Sequence, residues 1–125
     1  MIYLFAGDDT KKKRLTYEKF LKTIDGVETL FINKNNFNKT QIESLYSGAG
    51  LFSPKFVVVF EGILEYEDHR DFILDKLPLL ASSQNDYIFL EGKLLKPILD
   101  DFRKARAELN IFELPKEKKE KFDNF

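Results

Sequence analysis

The chain has 125 residues, 43% of them hydrophobic and 14% aromatic, so it can bury the core of one domain but hardly of two. It contains no cysteine, which excludes a disulfide framework and a thiolate metal site and favours a reducing, cytoplasmic setting. The formal net charge of -1 argues against a module that binds nucleic acid by charge alone. Neither a signal peptide nor an apolar run of membrane-spanning length is recognisable, so we expect a soluble protein.

The first half of the chain alternates between strand and helix patterns. Residues 2–6 form a short apolar run, and residues 11–24 carry apolar side chains at helical spacing. A second strand is predicted at residues 29–32, and a second helix is predicted to begin after Asn38 or Thr40 as its N-cap. These patterns indicate two successive βα units.

The second half of the chain repeats this alternation. Residues 56–60 are all aromatic or β-branched, which is the composition of a strand buried on both faces of a parallel sheet. Further patterns predict a helix at 68–80, a strand at 87–90, a helix at 94–109 and a strand at 110–114. The whole alternation predicts an α/β fold, a three-layer αβα sandwich around a five-stranded parallel sheet.

The turn after the first strand is a candidate phosphate-binding loop, because working residues of parallel sheets lie at the carboxyl ends of strands. Such a loop needs several glycines, then a lysine and a serine or threonine. This chain offers GDDTKKKRLT, in which Gly7 is the only glycine and Asp8 and Asp9 occupy the turn. Two carboxylates would repel phosphate oxygens, so we do not expect nucleotide hydrolysis.

Asp8 and Asp9 leave two interpretations open. An acidic pair at the end of strand one is one corner of the magnesium site of a phospho-receiver domain. The other corners are absent, because Glu61, Glu91 and Leu114 stand where an aspartate, a hydroxyl residue and a lysine are needed. Alternatively, a carboxylate caps the following helix beside the positive end of its dipole and binds no metal. A receiver-like or degenerate nucleotide-binding enzyme that uses Asp8 and Asp9 is the alternative hypothesis.

The other charged residues give no catalytic constellation. The basic run at residues 11–14 is typical of the solvated first turns of a helix. His69, the only histidine, lies among charged neighbours and is expected to be a solvated helix residue, since no cysteine or second histidine could share a metal with it. We therefore expect no catalytic residue, no bound metal and no cofactor.

Leu51 and Phe52 stand between glycines and a proline, where a regular element is hard to maintain. Either the pair folds back over the end of the second helix, or it protrudes and enters a pocket on a partner. The small neighbours Ala49, Gly50 and Ser53 suit the protruding pair, because they let the walls of a pocket approach the backbone. The residues themselves leave both interpretations open.

Several stretches, in their order and spacing, resemble the first domain of the delta subunit of the bacterial DNA polymerase III clamp loader. They are IYLFAGDD, GLFSPKFVVVFEG, and DYIFLEGK followed by a helix and NIFEL. The resemblance covers residues 1–115. It implies an AAA+-like fold, related to the P-loop NTPases, that has lost its phosphate loop and hydrolyses no ATP.

The resemblance also implies a function in DNA replication. In that family the delta subunit binds the sliding clamp, the beta subunit, and helps to open the clamp. It binds through a Leu-Phe pair that follows the second helix. Leu51 and Phe52 match the pair, and Ser47 stands where the clamp-binding motif often has a glutamine. A complete delta subunit continues into a helical lid and collar, through which it would contact the other clamp-loader subunits, and it would meet DNA only indirectly. The charged residues 116–125 would then be the start of that missing lid or linker.

Overall fold

The computed structural model describes residues 1–24, 26–47 and 54–115, in which strands and helices alternate. The strands are β1 (Ile2–Ala6), β2 (Glu28–Ile32), β3 (Phe56–Glu61), β4 (Asp86–Leu90) and β5 (Glu108–Ile111). The helices are α1 (Thr10–Lys22), α2 (Lys39–Ser47), α3 (Glu67–Ser82) and α4 (Lys96–Lys104). All strand pairs are parallel, and the order across the sheet is β2-β3-β4-β1-β5.

Helix α1 packs on one face of the sheet. There Phe5, Val59 and Ile88 of the three central strands form one apolar cluster with Tyr17 of α1. The rings of Phe5 and Tyr17 meet edge to face, with centroids 6.1 Å apart. Because side chains alternate along each strand, the residues next to these in sequence face the opposite side of the sheet.

Helices α2, α3 and α4 pack on the opposite face. Ile42, Ile73 and Phe102, one from each helix, are fully buried in a cluster that includes Leu4 and Phe89 of the sheet. Burial of each such side chain contributes roughly 1.5–3 kcal/mol. The sheet thus lies between two helical layers, which confirms the predicted three-layer α/β fold. None of the described helices is long and apolar enough to cross a membrane.

The last two predicted elements differ from the structure in their bounds. The helix predicted at 94–109 is shorter and is observed as α4, and the strand predicted at 110–114 begins two residues earlier, as β5. Arg106 has a left-handed backbone (φ 60°) and prevents the helix from continuing. This end is not marked in the sequence, because Arg106 and its neighbours Ala105 and Ala107 are all good helix formers. Pro97 lies in the first turn of α4, where its missing N–H costs no hydrogen bond. Pairing of Leu109 with Leu4 then fixes the register of β5.

Asn38 is confirmed as the residue that caps α2. The backbone N–H of Gln41 donates to its side-chain oxygen over 2.9 Å, so the amide satisfies a free donor of the first turn. Thr40, the alternative cap, lies inside the helix. The charged segment predicted to begin a lid, residues 116–125, lies outside the described residues.

Candidate functional site

The predicted clamp-binding residues fall in the connection between α2 and β3. Leu51 and Phe52, with the flanking Ala49, Gly50 and Ser53, lie outside the described residues. Their role therefore stays a prediction. The structure does describe both ends of this connection, because α2 extends to Ser47 and β3 begins at Phe56.

A buried asparagine contacts both ends of this connection. The side chain of Asn85, only 2% exposed, donates from Nδ2 to the carbonyl oxygen of Leu45 over 2.8 Å. Its Oδ1 accepts from the backbone N–H of Phe56, also over 2.8 Å. The Leu45 carbonyl belongs to the last turn of α2, where carbonyl groups have no partner within the helix. One amide thus joins the end of α2 to the start of β3. Nothing in the sequence singles out Asn85, because an asparagine before a strand is an ordinary turn signal.

Asn85 lies at the edge of the sheet where β1, β3 and β4 begin. The N-terminal ammonium of Met1 donates to the Asn85 carbonyl oxygen over 3.2 Å and pairs with Asp86 at 3.6 Å. Lys55 also pairs with Asp86, at 3.2 Å. The connection that carries the Leu-Phe pair therefore starts and ends at the amino edge, whereas ligands of parallel sheets bind at the carboxyl edge.

At the carboxyl edge, the turn between β1 and α1 packs tightly against the ends of neighbouring strands. The N–H of Gly7 donates to the carbonyl oxygen of Gly92, and the N–H of Asp9 donates to that of Phe112, each over 3.0 Å. Gly7 has a φ of 125°, and a Cβ there would lie 1.9 Å from the Phe112 oxygen. This turn thus directs its N–H groups to the protein's own backbone, whereas a phosphate loop directs them to a ligand.

Both carboxylates of the turn make structural hydrogen bonds. Asp9 Oδ1 accepts from the N–H of Lys12 over 3.2 Å, which confirms the helix-capping interpretation. Asp8 Oδ1 accepts from the N–H of Leu114, a residue beyond β5, over 2.8 Å. In the described part of the chain, no three His, Asp or Glu side chains are grouped so that they could hold a metal ion.

Lys13 departs from the prediction that the basic run at 11–14 is solvated. Its neighbours in the run are exposed, but Lys13 is only 7% exposed. Its ammonium donates to the carbonyl oxygens of Gly7 over 3.0 Å and of Glu91 over 2.6 Å. Burial lowers the pKa of Lys13, opposed by the Glu91 carboxylate. Only the fold brings the end of β4 to this helix, so a helical charge pattern could not reveal the contact.

Glu91 follows β4 directly and is buried with its carboxyl group turned towards the β3–α3 connection. The N–H groups of Ile63 and Leu64 donate to its two oxygens over 3.0 and 3.1 Å. Burial raises the pKa of Glu91 to about 7, although both hydrogen bonds favour the ionised form. The sequence signal for it is an acidic residue placed straight after an apolar buried strand.

The raised pKa of Glu91 predicts a pH-dependent stability. Between the ordinary pKa of 4.5 and about 7, the folded state holds a proton that the unfolded chain releases. The free energy of unfolding should therefore fall as pH rises through this interval, by up to about 1 kcal/mol per pH unit. Glu91→Gln should flatten this fall, whereas the exposed control Glu61→Gln should leave it unchanged. Urea unfolding between pH 5 and 8 measures the slopes, and parallel curves for Glu91→Gln and wild type would contradict the assignment.

His69 lies on a helix, as the sequence predicts, but it is partly buried and not fully solvated. It lies on α3 with its ring stacked on Phe37, with centroids 4.0 Å apart and planes inclined by 23°. Its Nδ1 is buried and makes no hydrogen bond to the described residues. The ring therefore acts as a packing group between α3 and the loop before α2, a contact between segments far apart in sequence.

Neither the protein-family models nor the curated proteins contain a match to this chain.

Proposed function

We propose that this domain binds the sliding clamp as part of a clamp-loader delta subunit, with Leu51 and Phe52 entering an apolar pocket on the clamp. The observation that carries the proposal is the place of this pair in the chain. It falls in the α2–β3 connection, whose ends Leu45 and Phe56 are joined by the buried Asn85. Two large apolar residues with small neighbours, on a connection attached to a rigid sheet, suit a protein-binding element.

The fold supports a clamp-binding role without ATP hydrolysis. The five-stranded parallel sheet between two helical layers is of the α/β class that the resemblance implies. At the edge where a phosphate loop would bind nucleotide, the Gly7 turn and the Lys13 ammonium make hydrogen bonds within the protein. The domain would act in the cytoplasm within the DNA polymerase III holoenzyme. The lid and collar domains of the complete subunit would contact the other loader subunits.

The proposed mechanism depends on a difference in affinity between two clamp states. Insertion of Leu51 and Phe52 opens a clamp interface only if the domain binds the opened clamp more tightly than the closed one. A domain that bound both states equally would shift no equilibrium, however tight the complex. The described α/β body, packed on both faces of its sheet, supplies the support for such a contact.

The alternative, a receiver-like enzyme that uses Asp8 and Asp9, gains no support from the geometry. Receiver domains have the strand order 2-1-3-4-5. Here β1 pairs with β4 and β5. The two carboxylates accept hydrogen bonds from Lys12 and Leu114, at the N-terminus of α1 and beyond β5.

Nucleotide and magnesium binding separate the two functions. We predict that ATP with millimolar magnesium, or magnesium alone, leaves the melting temperature of the protein unchanged. A ligand that binds the folded state at 100 times its Kd would stabilise it by about 2.7 kcal/mol, which is easily seen. Thermal unfolding with each ligand and equilibrium dialysis of ATP are the measurements. Saturable micromolar binding of ATP would refute the prediction and favour the enzyme.

A further inference from the structure

We infer that Asn85 is a positioning residue for the clamp contact, an inference that rests on the proposed function. The Asn85 side chain bonds to Leu45 and Phe56, on either side of the connection that carries Leu51 and Phe52. Its proposed effect is to keep the two ends of that connection in one arrangement.

The chemistry of the amide fits this role. A single asparagine side chain offers a donor and an acceptor, and here each serves a backbone group of a different element. Because Asn85 is almost fully buried, loss of the amide would leave the Leu45 carbonyl and the Phe56 N–H without this partner. Such groups are costly to leave unpaired away from water, so the end of α2 and the start of β3 would rearrange.

Rearrangement of these ends should lower the affinity for the clamp. If only part of the molecules present the pair correctly, the apparent Kd rises as the inverse of the fraction that remains competent to bind. A competent fraction of one in ten gives a loss of about tenfold, which is the effect we expect for Asn85→Ala. The effect should vanish in a Leu51→Ala/Phe52→Ala background, where no pair remains to be positioned.

Ser83→Ala is the matched control. The Ser83 hydroxyl accepts from the Asn85 backbone N–H over 3.1 Å and from the Tyr87 hydroxyl over 3.0 Å, so it belongs to the same, partly buried network. It contacts neither Leu45 nor Phe56 in that network. Its removal should therefore reduce stability while leaving clamp affinity close to that of the wild type. Asn85→Ser is a second, milder variant, because its hydroxyl can still make one hydrogen bond in the buried site although it is too short to join Leu45 to Phe56.

The test measures clamp affinity and amide hydrogen exchange on the full chain and these variants. We expect a roughly tenfold rise in Kd for Asn85→Ala and a smaller rise for Asn85→Ser, which also serves if the alanine variant unfolds. Exchange at Phe56 and in the last turn of α2 should accelerate more in the Asn85 variants than in Ser83→Ala. Wild-type affinity in the Asn85 variants, or equal losses in Ser83→Ala, would overturn the inference.

The exchange measurement separates this inference from the proposed function. If the wild-type chain does not bind the clamp, the proposed function fails, and the positioning of the clamp contact fails with it. Selective exchange at Phe56 would then still show that Asn85 fixes the two ends of the connection. If the wild type binds and exchange in the Asn85 variants matches Ser83→Ala, the proposed function stands and the role of Asn85 is refuted.

Discussion

Replacing Leu51 and Phe52 together with alanine should weaken binding to the sliding clamp by roughly 2 kcal/mol or more, because apolar anchors in a partner's pocket carry much of the binding energy. The free energy of unfolding should change by less than about 1 kcal/mol, because the protruding interpretation leaves the pair exposed to solvent in the free protein. Clamp affinity and the urea midpoint, both measured on the same double variant, test the two statements together.

A control double variant removes the same side-chain types elsewhere. Leu95 is 74% exposed and Phe31 is 58% exposed, and both lie on described parts of the surface. Leu95→Ala/Phe31→Ala should bind the clamp as the wild type does, which would show that loss of affinity depends on position.

The alternative, in which Leu51 and Phe52 cover the end of α2, predicts the opposite pattern. Truncation of two buried residues of this size should cost about 3 kcal/mol or more in folding, because the transfer and cavity terms add. A Leu51→Ala/Phe52→Ala variant that unfolds readily would therefore support the covering role. A stable variant with full clamp affinity would remove the basis for the proposed function.

Gly7→Ala should reduce the free energy of unfolding by about 3 kcal/mol or more, since strain and steric overlap add at this position. An added Cβ would lie 1.9 Å from the carbonyl oxygen of Phe112 and 2.6 Å from its carbon. Both atoms belong to a backbone that donates to Ala6 and accepts from Asp9, so relief of the overlap would break these bonds. The φ of 125° adds strain for any L side chain.

Gly62→Ala is the matched control for this substitution. Gly62 also has a positive φ, 66°, but nothing lies within 4 Å of the Cβ that alanine would add. Its cost should be confined to backbone strain, about 1 kcal/mol. Urea unfolding of both variants isolates the contribution of the close approach to Phe112. Equal stabilities would show that the β1–α1 turn can move away from β5.

The pattern of apolar residues was enough to predict the sheet and the number of its strands. The run Phe56 to Phe60 predicts a strand buried on both faces, and Val57, Val58, Val59 and Phe60 are indeed buried. The bounds of α4 and β5 were less predictable, because the left-handed turn at Arg106 has no glycine or asparagine to mark it. Pairing of β5 with β1 decides that boundary, and such pairing depends on residues more than 100 positions apart.

Some features of the candidate site could likewise be predicted from the sequence, and others could not. The position of Leu51 and Phe52 between small residues is a property of the sequence, and so is the lack of a glycine-rich phosphate loop after β1. Local rules also predicted the capping role of Asp9, because a cap and its helix are neighbours in the chain. The burial of Lys13 and Glu91 could not be predicted from local patterns, which describe each element without its neighbours.

The sequence by itself determined the alternation of strands and helices, the αβα class and the choice of the Leu-Phe pair as a candidate, since these depend on periodicity and local composition. Only the tertiary structure decided that β1 lies between β4 and β5, that Lys13 reaches the backbone of Glu91, and that Asn85 joins Leu45 to Phe56. The physical reason is that a buried polar group must find its partner in space, and parallel strands bring together residues that are distant in the chain.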